Sequence, residues 1–215
     1  MHSVHKLYLK RKSLSTKPFK ARGFRVERCE NCRLASAHCI CQWRQQCDSS
    51  VGFLLLMYDS EVLKPSNTGR LIADMIPENY AFLWSRTEVD AELLAVLNDP
   101  QWQPFVVFPQ DYATENQQIT NSVPPLSSNK KPLFIMLDGS WREAKKMFRK
   151  SPYLNELPVL SIDLSTLAIE DKASQYQIRK ANVPNQLATA EVAAHILDLA
   201  GERDNAKKLT AWFNV

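Results

Sequence analysis

From Val51 onward, short apolar runs alternate with helix-forming stretches, and this alternation leaves few architectures open to the chain. The runs are VGFLLLMY (51–58), YAFLWS (80–85), PFVVFP (104–109), LFIML (133–137) and LPVLSI (157–162). Continuous apolar runs of this length read as strands buried on both faces. Between them, 66–76 opens with Ser-Asn-Thr and carries Leu71, Ile72, Met75 and Ile76 at helical spacing. Residues 88–98 form a second helix, with Leu93, Leu94 and Leu97 on one side, and 141–150, 186–200 and 202–212 supply three more. Strands alternating with helices predict an α/β fold, a mostly parallel sheet with helices on both faces. Such sheets hold their ligands beyond the C-terminal ends of the strands. Residues 110–131 are polar and contain prolines, and predict a long loop.

The first 50 residues are of another kind. They carry 11 Lys+Arg against 3 Asp+Glu, while the rest of the chain carries 16 against 20. The sequence divides into a basic flexible tail (1–28), a cysteine knuckle (29–50) and an α/β domain (51–215). The tail is either a solvated terminus or the start of a polyanion-binding surface. No apolar stretch approaches the roughly 20 residues of a membrane helix. The N-terminus has no signal-peptide h-region, so a cytoplasmic protein is expected.

The five cysteines, at 29, 32, 39, 41 and 47, lie within 19 residues, with none in the 168 that follow. Scattered structural cysteines do not cluster so tightly. Cys29-x2-Cys32-x6-Cys39-x-Cys41 offers two chelating pairs of soft ligands, which suits a closed tetrahedral zinc site of structural type. Unliganded thiols and an iron–sulfur cluster are the alternatives. His38 is a poor substitute ligand beside Cys39, and Cys47 is read as a bystander.

The stretch PLFIMLDGSWREAKKMFRK (132–150) joins a buried strand to a helix with a basic face. Trp141, Ala144 and Phe148 should face the core. Arg142, Lys145, Lys146 and Arg149, with Lys150 beyond, are either a solvated face or phosphate contacts. Asp138, at the strand end, is either a helix cap or a carboxylate that accepts a proton or orients a substrate. Gly139 allows close approach of a ligand to the backbone, and the edge of the Trp141 ring can stack on a base. KPSNTGR (64–70) and NQLATAE (185–191) are polar turns feeding helices, and SQYQIRKA (174–181) adds Tyr176, Arg179 and Lys180.

Together the cysteine knuckle, PSNTGRLIADMIP, LDGSWREAKKMFRKSPYL, YQIRKA and QLATAE resemble the bacterial members of the DTW-domain family over roughly residues 18–200. The family's Asp-x-Thr-Trp motif here reads Asp138-Gly139-Ser140-Trp141, which keeps the hydroxyl. The resemblance implies an S-adenosylmethionine-dependent tRNA-uridine aminocarboxypropyltransferase. It would move the 3-amino-3-carboxypropyl group to N3 of a uridine, of the variable loop in the bacterial members, and release methylthioadenosine. It also implies a SPOUT-like fold with a C-terminal trefoil knot, as a monomer or homodimer. On this basis Asp138, Ser140 and Trp141 are the catalytic candidates. Leu137, Gly139, Tyr176, Arg179, Leu187, Ala188, Thr189, Ala190 and Glu191 would line the cofactor pocket, with Asn67, Thr68 and Gly69 as its opposing wall. Arg179 would meet the methionine carboxylate. Lys17, Lys20, Arg22, Arg25, Arg142, Lys145, Lys146 and Arg149 would grip tRNA. Many relatives carry His near the position of Asp59, so that site departs from the pattern. The rival functions are an RNA methyltransferase of the same fold and a non-catalytic zinc-ribbon RNA-binding protein.

Overall fold

A computed structural model describes residues 1–20, 23–127, 129–162 and 187–214. Six strands form one all-parallel sheet in the order β2-β1-β5-β3-β6-β4. They are β1 (Gly52–Met57), β2 (Asn79–Leu83), β3 (Trp102–Val107), β4 (Ile119–Thr120), β5 (Lys131–Asp138) and β6 (Val159–Leu160). The helices are α1 (Ser3–Ser13), α2 (Gly69–Met75), α3 (Ala91–Asn98), α4 (Trp141–Arg149), α5 (Thr189–Leu199) and α6 (Arg203–Phe213). The expected α/β class, parallel pairing and element order are all present. The expected trefoil knot falls on C-terminal residues largely outside the described ones.

Neighbouring strands β1 and β5 send their connections to opposite sides. The chain leaves β1 for the edge strand β2, and leaves β5 for β6 beyond β3. Such a divergence is the topological switch point where open parallel sheets leave a crevice. Met57 pairs with Asp138 at its lip, and the Tyr58 N–H donates to the Asp138 carbonyl at 2.9 Å.

Period-two alternation divides the strand side chains between two cores. Phe53, Leu55, Met57, Phe105, Phe134 and Met136 pack beneath α1, α2, α5 and α6. Leu54, Leu56, Val106, Leu133 and Ile135 pack beneath α3 and α4. Pro104 sits inside β3, where a missing N–H would ordinarily break a ladder. The N–H groups of Val106 and Phe108 point toward β6 and donate to Pro158 and Leu160. Pro104 shares their side, but β6 does not reach back to it.

Three expectations need correction. The first part of the supposed flexible tail is helix α1, whose Val4, His5 and Leu7 are buried against the body. The 110–131 segment contributes β4, two residues paired to β6 at the sheet edge. Leu94 does not share the buried side of α3; it is 36% exposed while Leu93 is 2%.

Asp74 on α2 holds the periphery together. Its carboxylate meets His2 at 3.3 Å, Arg44 at 3.3 Å and Arg70 at 3.7 Å, and accepts from Trp212 Nε1 at 3.3 Å. One buried acid therefore ties the start of α1, the end of the cysteine segment and α6 to α2. Cys47, read as a bystander, is a core residue: it is buried in the larger apolar cluster, and burial raises its thiol pKa.

Candidate active site and metal centre

Asp138 ends β5 at the switch point and is 3% exposed. Its Oδ2 accepts from Asn67 Nδ2 at 2.7 Å, and its Oδ1 from the Thr189 hydroxyl at 2.8 Å. Asn67 also caps α2, its Oδ1 accepting from the Arg70 N–H at 3.2 Å. The Ala190 N–H donates to Thr68 Oγ1 at 3.4 Å. Three segments far apart in sequence thus converge on one carboxylate: the 66–69 turn, the end of β5 and the N-terminus of α5. The helix dipole of α5 adds a favourable field for that negative charge.

Asn67, Thr68, Gly69, Thr189 and Ala190, expected to line a cofactor pocket, are brought together with Asp138. Leu137, Gly139, Leu187, Ala188 and Glu191 are half-buried beside them. Tyr176 and Arg179 lie outside the described residues, as does Arg22 of the tRNA set. Asp138 does not cap α4. That role falls to Ser140 and Glu143: the Glu143 carboxylate accepts the Ser140 N–H at 2.7 Å and its hydroxyl at 2.6 Å. Gly139 has a reason within the protein, since a Cβ there would lie 3.1 Å from Glu143 Cβ and 3.3 Å from Tyr58 Cβ. Gly69 is tighter still.

A Cβ at Gly69 would stand 2.5 Å from Asp138 Oδ2 and 3.3 Å from Leu55 Cδ2. Gly69→Ala is therefore expected to push the carboxylate off Asn67. The cost should be about 1–3 kcal/mol, as for overpacking, read as a lowered Tm.

Glu61 is a buried member of this network that the sequence did not single out. At 1% exposure, it accepts from Lys64 Nζ and, at 3.5 Å, from Asn67 Nδ2. Its spacing of three from Lys64 was the available signal.

Around the crevice the strands end in aromatic residues. Trp141, only half-buried, stacks on Phe108 at 5.4 Å and meets Tyr112 edge-on at 5.8 Å. Lys145 Nζ lies 5.5 Å from both the Trp141 and Tyr112 rings. On the other side, Tyr58 stacks on Trp84 at 5.8 Å, with Lys146 Nζ 5.7 Å and 5.5 Å from those two rings. The core of α4 is Ala144, Met147 and Phe148; Trp141, expected there with Ala144 and Phe148, is instead half-buried at the helix start, and Met147 was not singled out by the spacing. Arg142, Lys146 and Arg149 are exposed, as are Lys17, Lys20 and Arg25.

The cysteine cluster is compact. The sulfurs of Cys29, Cys32, Cys39 and Cys41 all lie within 4.8 Å of one another. Individual separations are 3.7 Å (Cys29–Cys41), 3.9 Å (Cys32–Cys39) and 3.5 Å (Cys29–Cys39). A zinc–sulfur bond of about 2.3 Å gives tetrahedral edges of about 3.8 Å, whereas a disulfide brings sulfurs to about 2.05 Å. The donor set therefore fits a tetrahedral zinc ion. The Cys29 thiol is drawn down to about 6, first by the Cys32 N–H. Cys41 is pushed up to about 12 by burial and then by its neighbouring thiols. Four thiolates at this spacing require a cation between them.

The DTW-domain family model matches residues 26–215. The chain belongs to the DTW-domain family. This family is linked to tRNA modification, which makes tRNA the substrate class it implies. The matched region takes in the cysteine cluster, Asn67, the Asp138-Gly139-Ser140-Trp141 motif and Thr189. No solved structure matches the chain. Among the described residues, no helix is long and apolar enough to cross a membrane.

Proposed function

We propose that this DTW-domain protein transfers the 3-amino-3-carboxypropyl group of S-adenosylmethionine to N3 of a tRNA uridine. One observation carries the reading: Asp138 is buried at the sheet's switch point and clasped by Asn67 and Thr189, so three DTW-domain segments meet at one acid. Leu137, Gly139, Leu187 and Ala188 border that acid as half-buried, small or apolar residues, in character suited to an adenosyl group. When bound, the donor supplies an electrophilic carbon beside a sulfonium, and its thioether departs neutral without an acid. Asp138 accepts or orients the uracil N3–H, while Asn67 and Thr189 fix its carboxylate. The family resemblance adds Tyr176 and Arg179, outside the described residues, to the donor site, with Arg179 as partner for the methionine carboxylate.

The rim supports an RNA partner. Lys145 beside Trp141 and Tyr112, and Lys146 beside Tyr58 and Trp84, pair cations with ring faces. That combination serves unpaired nucleotides through phosphate contact and base stacking. The exposed Lys17, Lys20 and Arg25 add further positive charge to the described N-terminal residues. Zinc in the four-cysteine cluster has a structural role, all four positions being filled by protein sulfur.

Incubation with S-adenosylmethionine and tRNA is expected to yield methylthioadenosine and 3-(3-amino-3-carboxypropyl)uridine, identified by mass spectrometry. Adenosylhomocysteine with a methylated nucleoside would instead make the protein a methyltransferase. Absence of donor binding in calorimetry would make it a non-catalytic RNA binder. With about four phosphates neutralised, tRNA affinity should fall roughly a hundredfold between about 50 and 200 mM salt.

A further inference from the structure

Arg33 follows the metal-ligand candidate Cys32, yet its side chain belongs to the body of the protein. Its backbone has φ +61°, and among the described non-glycine residues it alone has positive φ. The turn is closed by the Arg33 N–H donating to the Cys29 carbonyl at 2.9 Å and the Cys29 N–H to the Leu34 carbonyl at 2.9 Å. Glycine would take this conformation freely; a long side chain there costs about 1–2 kcal/mol. A strained backbone held in place by its surroundings points to a use for that side chain.

The use is visible in the contacts. Arg33 is 5% exposed. Its guanidinium lies 4.8 Å over the Tyr8 ring of α1, and its Nη1 donates to the Val62 carbonyl. Val62 belongs to the helical turn Glu61–Leu63. From that turn the network runs on through Glu61 to Asn67 and from Asn67 to Asp138. A rigid staple in the cysteine cluster is thus one covalent step from a side chain that pins the crevice wall.

We propose that Arg33 is a positioning residue that couples the cysteine cluster to donor binding, holding the 61–67 turn so that Asn67 presents its amide to Asp138. This rests on the reading that the crevice binds S-adenosylmethionine. A local structural role predicts the opposite ranking of variants, because Arg33→Gly relieves the backbone strain of the knuckle.

The experiment compares wild type, Arg33→Gly, Arg33→Met and Arg33→Lys by calorimetry with S-adenosylmethionine, alongside zinc content and Tm. The expected result is zinc retained at the wild-type level in all four. Donor affinity should be about tenfold weaker in the Gly and Met variants, as for loss of a charged hydrogen bond, and partly recovered in the Lys variant. Should Arg33→Gly fail to fold, Arg33→Met, which keeps most of the buried stem, carries the same expectation. Donor affinity within twofold of wild type in the Met variant overturns the inference while leaving the proposed activity intact. No donor binding by the wild type overturns both.

Discussion

Asp138→Asn is expected to lower transfer at least about a hundredfold in a chain that still folds. The side chain keeps its shape and volume, so packing at the end of β5 is retained. One acceptor is lost. Asn67 Nδ2 and the Thr189 hydroxyl both donate to the native carboxylate, and an amide can serve only one of them as acceptor. The hydroxyl can rotate to accept instead, which limits the structural cost to about 1 kcal/mol. What cannot be replaced is the negative charge. A positioned base is worth about 10²–10⁴ in rate, and that loss should dominate. The check is kcat measured beside donor affinity and Tm. Transfer within about threefold of wild type would remove Asp138 from any proton-handling role.

Asp74→Ala is expected to be the most destabilising single truncation on the surface of the larger core. Arg70 is 5% and Asp74 6% exposed, so removing the acid leaves a buried guanidinium without that counter-charge. Breaking such a pair costs about 3–5 kcal/mol. His2, Arg44 and Trp212 lose a shared acceptor at the same time. For a chain of this size Tm should fall by roughly 10 °C. The Arg11–Asp59 pair is the contrast: its geometry is good, with contacts at 2.6 and 2.9 Å, but Asp59 is half exposed. Arg11→Ala should therefore cost at most about 1 kcal/mol. Burial opposes ionisation of Asp74, yet His2, Arg70 and Trp212 outweigh it and hold the carboxyl below its usual range. A depressed native value means that this stabilisation is present above the unfolded aspartate's value of about 3.9. It is lost as pH falls below that value toward the native one. Acid melting should thus be shallower in Asp74→Ala than in wild type.

Much of the sheet was legible because its central strands are buried on both faces and so show as unbroken apolar runs. Phe53 and Leu54 face opposite cores, and neither position tolerates a polar residue. The cysteine cluster was legible from spacing alone. Helix α1 was not, because only Val4, His5 and Leu7 turn inward and basic residues surround them. A helix that docks through so few apolar residues, helped by polar contacts such as the Ser3 N–H to Asn79 Oδ1 at 3.0 Å, leaves almost no apolar periodicity. Strand β4 was hidden for another reason: a two-residue edge strand has no pattern to detect. At the site, the residues alone marked Asp138 and the turns at 66–69 and 187–191 as separate candidates, and only the family resemblance joined them in one pocket. Their union depends on the order of the strands, which local spacing does not encode. Arg33 was invisible as anything but one more base near the cysteines, since its burial comes from the fold of the whole N-terminal third.

The position of β5 also matters before folding is complete. Strand β1 pairs with β2 on one side, Phe53 against Asn79, but on its other side the partner is β5, with Gly52 against Leu133. At roughly 5–20 residues per second, ribosomal synthesis needs about 4–16 s to deliver that partner. Throughout that interval the nascent chain holds an apolar ribbon with one edge open to any passing strand. Premature termination before residue 131 would leave β1 and β3 without the ribbon that separates them, and such fragments should be clients of chaperones and proteases rather than folded subdomains.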